Sequence, residues 1–65
     1  MIEVFYNGKK YDIEVKGNIR GKDIFKKFRL NEEEHLLIVN GKLMPLKDRI
    51  KDKSKVEILT VISGG

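Results

Sequence analysis

The sequence predicts an α+β fold, with one main helix packed on one face of a mixed four- to five-stranded sheet. Three observations predict it. The dipeptides Asn7-Gly8 and Asn40-Gly41 each interrupt apolar or alternating runs of strand length, the signature of tight hairpin turns. Ile24, Phe25 and Phe28 recur at helical spacing in an otherwise polar stretch. The segment 56–62 closes the chain as an apolar run of strand length. Sixty-five residues make one small domain, and such a chain buries only about 60% of its unfolded surface. No repeat or linker divides it, so residues 1–61 form the domain and residues 62–65 a flexible tail.

Residues 2–6 and 9–15 read as a hairpin, because Asn-Gly tolerates the positive φ angles of a type I′ turn. A two-residue turn places Val4 opposite Tyr11 and Ile2 opposite Ile13. Those residues and Val15 form one apolar face, with Lys10, Asp12, Glu14 and Lys16 on the other. Phe5 falls on the polar face. Gly17-Asn18 ends the hairpin, and a helix follows over about 20–29, with Gly21 as N-cap and Asp23 in the first turn. Asn31 to Glu34 reads as a short capped turn, since Asn followed three residues later by Glu has capping-box spacing. His35 to Val39 reads as a strand, residues 42–44 as a short return strand stopped by Pro45. Leu46 and Ile50 are expected to anchor the connection that follows. In the last strand Val56, Ile58 and Thr60 are expected to face the helix. The first and last strands then lie side by side in parallel.

Net charge is +4, and it is local. Lys42, Lys47, Arg49, Lys51, Lys53 and Lys55 face only Asp48 and Asp52 within residues 42–55, while the rest of the chain balances. This segment reads as a solvated basic loop or as a docking surface for an acidic partner or phosphates. Nucleic acid fits it poorly, since no aromatic residue interleaves and Arg49 is its one arginine. The absence of cysteine excludes disulfides, zinc fingers and thiol nucleophiles. With no membrane span or signal segment, a cytoplasmic monomer is expected. His35 is the single histidine, so neither a catalytic triad nor a paired-histidine metal site can form. Gly41-Lys42 lacks the flanking residues of a phosphate loop. No catalytic residue and no metal ligand is assigned, and the chain is not expected to be an enzyme by itself.

The positive feature is the end, Ser63-Gly64-Gly65, directly after the last strand. Glycine has no Cβ, so an extended Gly-Gly can thread a channel too narrow for other residues. A terminal carboxylate needs activation before it can react, for instance as an acyl-adenylate made from ATP.

Asp23-Ile-Phe-Lys-Lys-Phe-Arg-Leu, the Asn31 turn, Leu37-Ile-Val-Asn-Gly-Lys and Val56-Glu-Ile-Leu-Thr-Val-Ile-Ser-Gly-Gly resemble the ubiquitin-like β-grasp sulfur carriers. The likeness is to the ThiS/MoaD type and, most closely, to the small archaeal modifier proteins. Lys53-Ser54 departs from the Gly-Asp usual in that turn, which implies an uncomfortable backbone at Lys53. The Gly17 to Asp23 connection also looks longer than in close relatives. The resemblance implies that an E1-like enzyme, using ATP and magnesium, adenylates the Gly65 carboxylate, with Gly64 and Ser63 threading into its site. A sulfur donor then makes a thiocarboxylate for a sulfur-acceptor synthase of the thiamine, molybdopterin or tRNA thiolation type. Alternatively the adenylate passes to lysines of target proteins, or the domain acts as a non-covalent ubiquitin-fold module. The chain itself binds no cofactor on this reading. Ile38, Leu59 and Val61 are expected to form the partner-binding patch on the outer sheet face, with lysines of 42–55 on its rim. Ile38 and Leu59 resemble positions of ubiquitin's hydrophobic interaction face.

Overall fold

The computed structural model describes residues 1–15 and 17–61. β1 (Ile2–Tyr6) turns through Asn7 and Gly8, with φ of 52° and 74°, into β2 (Lys9–Ile13). Ile2 faces Ile13 and Val4 faces Tyr11, as the two-residue turn dictates. β2 ends at Ile13, two residues short of the expected boundary, and half-buried Val15 packs on the core from outside the strand. Lys16, expected on the polar face, lies outside the described residues.

β3 (Ile19–Arg20) leads into α1 (Gly21–Phe28). The N-cap is Arg20 in extended backbone, φ −115° and ψ 162°, rather than Gly21. Asp23 Oδ2 accepts from the Arg20 N–H at 2.9 Å. The first helical amides donate into the loop below: Lys22 N–H to the Leu46 carbonyl at 2.9 Å, Gly21 N–H to the Asp48 carbonyl at 3.4 Å. Helix start and loop therefore satisfy each other's backbone. Arg29, φ 56°, closes the helix in the left-handed region, and Leu30 N–H donates to the Phe25 carbonyl at 2.8 Å. The short capped turn expected at Asn31 is present: Asn31 Oδ1 accepts from Glu33 N–H at 2.9 Å, and the Asn31 carbonyl from Glu34 N–H at 3.1 Å.

β4 (His35–Val39), β5 (Lys42–Leu43), β6 (Arg49–Ile50) and β7 (Lys55–Thr60) complete the chain. The main sheet has the order β2-β1-β7-β4-β5, with β1 and β7 parallel and every other pair antiparallel. A second, two-stranded sheet joins β3 to β6 across segments with no strand pattern in the sequence. Ile50 anchors it, 3% exposed. Ile2, Val4, Ile13, Leu37, Val39, Val56 and Ile58 line the inner sheet face against Ile24 and Phe25 of the helix. Thr60, expected inward, is exposed because the core ends at Ile58. Lys53 does adopt a positive φ, 67°. Beside it the α-amino group of Met1 pairs with Asp52, and that hydrogen bond holds the Asp52 carboxyl below its ordinary range.

Candidate functional site

The parallel pairing of β1 with β7 sorts the molecule into two poles. β7 runs from Lys55 toward Val61, so the Asn7-Gly8 turn, the Asn31–Glu34 turn and Val61 gather at one pole. Met1, Asn40-Gly41 and the turn at Asp52 and Lys53 occupy the other. The chain leaves the described structure after Val61, whose N–H donates to the Glu34 carbonyl at 2.7 Å. That bond fixes the direction in which β7 points. Ser63, Gly64 and Gly65 lie outside the described residues.

Beneath this pole the inner face is aromatic. Tyr6 stacks on Phe28 with centroids 6.2 Å apart, and Tyr11 meets the same ring at 5.1 Å. His35 sits edge-on to Tyr6 at 5.8 Å and to Phe25 at 6.2 Å. Its Nδ1 donates to the Asn31 carbonyl at 2.9 Å. Half-buried and so held, His35 is part of the support under the end of β7. Offset and edge-on ring contacts add rigidity beyond the area they bury.

The outer face carries the expected patch, enlarged. Ile38 is half-buried, while Leu59 and Val61 are 46% and 42% exposed. Leu59 stands directly opposite Leu36, and Ile38 directly opposite Glu57, so Leu59 and Ile38 are diagonal neighbours. Leu36, and Leu43 opposite Ile38, complete an apolar surface that the sequence reading missed. Strand alternation alone places Leu36 on the face of Ile38, and the Asn40-Gly41 turn pairs Leu43 with it, so both were findable. Phe5 borders the patch across Glu57, with the Lys55 ammonium 5.2 Å above its ring. Of the basic segment, Lys55 lies on this face. The rest clusters toward the opposite pole and around β5, where Lys42, Arg49 and Lys51 line a shallow groove with Asp48. The expectation that lysines of 42–55 rim the patch therefore holds for Lys55, while the loop from Pro45 runs under the helix start rather than over the outer face.

Among the described residues no three His, Cys, Asp or Glu side chains converge as a metal site. No helix among them is long and apolar enough to cross a membrane.

The family model described as ThiS matches residues 4–65. The chain is similar to the sulfur carrier protein TtuB of Thermus thermophilus, 32% identical over 54 residues that span 83% of each protein. It also superposes on the crystal structure of the thiamine biosynthesis protein ThiS from Geobacter metallireducens. The TM-score is 0.68, covering 97% of this chain and 99% of that one, at 19% identity; at that identity the likeness speaks for the fold. Sheet order, single helix and family match agree, and the chain belongs to the ThiS family of β-grasp sulfur carriers.

Proposed function

We propose that this protein is a sulfur carrier whose working group is the Gly65 carboxylate. The observation that carries the reading is that the family match continues through Gly65, directly beyond a strand aimed out of the sheet at a stiffened pole. The carboxylate oxygen attacks the α-phosphorus of ATP on a separate E1-like enzyme, and pyrophosphate leaves. The resulting acyl-adenylate is an electrophile at the Gly65 carbonyl carbon, from which sulfur of a donor displaces AMP to give a thiocarboxylate. Magnesium serves the enzyme's nucleotide. Gly64, with Ser63 before it, supplies the thin chain that reaches the reagent. The apolar surface of Leu36, Ile38, Leu43, Leu59 and Val61 serves as the docking face, since such a contiguous patch marks a partner contact. A sulfur-acceptor synthase receives the cargo, and a target-protein lysine is the other nucleophile the same adenylate can meet.

The test is incubation with an E1-like adenylating enzyme, ATP, magnesium and a sulfide source, followed by intact mass spectrometry. The expected product is the protein with one oxygen replaced by sulfur. A variant lacking Gly65 is expected to stay uncharged with its circular dichroism and melting temperature unchanged. Failure of the wild type to form either adenylate or thiocarboxylate would remove the carrier reading.

A further inference from the structure

We propose that the activating enzyme grips the carrier by adding an extended strand of its own to the open side of Thr60, beside the β1–β2 turn; this rests on the carrier reading above. The β4 side of β7 is fully used. Asn40 N–H donates to the Lys55 carbonyl at 2.8 Å, and Val61 N–H to the Glu34 carbonyl at 2.7 Å. Bonding residues alternate in an antiparallel ladder, so Lys55, Glu57, Leu59 and Val61 aim their backbone groups at β4. Val56, Ile58 and Thr60 aim theirs the other way, toward β1.

On that side the ladder is too short. Its register runs from Glu3↔Lys55 to Tyr6↔Ile58 and stops, because Asn7 and Gly8 turn the chain back into β2. β7 continues to Thr60. Among the described residues the Thr60 N–H and C=O have no partner on this side. The space beside them is a groove walled by Phe5 and Leu59 and flanked by Asn7, Lys9 and Glu57. An open strand end next to an apolar wall offers its N–H and C=O to one more strand. Backbone groups of the incoming segment pair with Thr60, and an apolar side chain of it lies on Phe5 and Leu59. An enzyme segment is the fitting occupant because the chain that follows Val61 must enter the enzyme's cleft. β7 therefore arrives there with this edge beside the entrance.

The test is amide-resolved hydrogen exchange of the carrier alone and of its complex with the E1-like enzyme. Thr60 N–H is expected to exchange as an open amide in the free protein. In the complex it is expected to slow by about tenfold or more. Thr60→Pro removes that one donor and no bond to β4. It is expected to raise the KM for the carrier in charging by about fivefold to tenfold, the worth of one backbone hydrogen bond. The kcat and circular dichroism should be preserved. An unprotected Thr60 amide in a complex that does adenylate Gly65 overturns the strand pairing and leaves the carrier reading standing. No adenylation at all overturns the carrier reading, and the pairing with it. Protection already present in the isolated monomer, or appearing with concentration-dependent dimerisation, assigns the groove to the chain's own end or a second copy and also overturns it. Should Thr60→Pro fail to fold, the exchange measurement decides alone.

Discussion

A single methyl group at Gly21 would collide with the fold. Built there, a Cβ overlaps Leu37 Cδ2 and lies 3.1 Å from Leu46 Cα and 3.2 Å from Leu46 Cδ2. Backbone cannot swing aside as a side-chain tip can, so Gly21→Ala is expected to cost about 1–3 kcal/mol, although alanine outranks glycine in helices by about 1 kcal/mol. A lower urea midpoint at unchanged slope would report it; an unchanged midpoint would mean that the helix start and the loop slide apart freely. Lys53 presents the opposite case. At φ 67° a side chain pays roughly 1–2 kcal/mol, against the roughly 0.5–1 kcal/mol of entropy that glycine loses on folding. Lys53→Gly is therefore expected to raise stability by about 0.5–1 kcal/mol, seen as a higher melting temperature; a lower one refutes the strain. The strain at Lys53 was legible, because the family resemblance implied glycine in a turn where this chain has lysine. The role of Gly21 was not, since it depends on Leu37 and Leu46, 16 and 25 positions away.

Strands were readable where turn chemistry set their register. Asn7-Gly8 alone yields Ile2↔Ile13 and Val4↔Tyr11, and the inward set of Val56 and Ile58 follows from alternation. The β3–β6 pair was illegible because two-residue strands carry no period, and Ile19 meets Ile50 only once the helix and its loop have docked. Register also explains the patch, where Leu36 and Leu59 pair directly across β4 and β7. Leu59→Glu puts a charge on that surface without entering the core, Leu59 being about half exposed. It is expected to weaken docking to the activating enzyme by about tenfold while the fold stays intact. The measurement is the KM for the carrier in the charging assay, with circular dichroism alongside. Unaltered KM would place the docking face elsewhere.

For the molecule as a whole, the net charge of +4 is concentrated away from the pole where β7 ends. Around that pole the exposed groups include Arg29, Glu32, Glu33 and Glu34 and the turn at Asn7 to Lys9. Long-range attraction to an acidic partner thus acts on the far side of the protein, as a torque that orients it in solution. The parallel placement of β1 beside β7 has a mechanical counterpart. One strand enters the ladder from the N-terminus and its neighbour leaves it toward the C-terminus, both in the same direction. A pull between the two chain ends therefore loads their rungs in shear, all together, rather than opening them one after another. A partner that tugs on the far end of the chain meets the resistance of the whole central ladder at once.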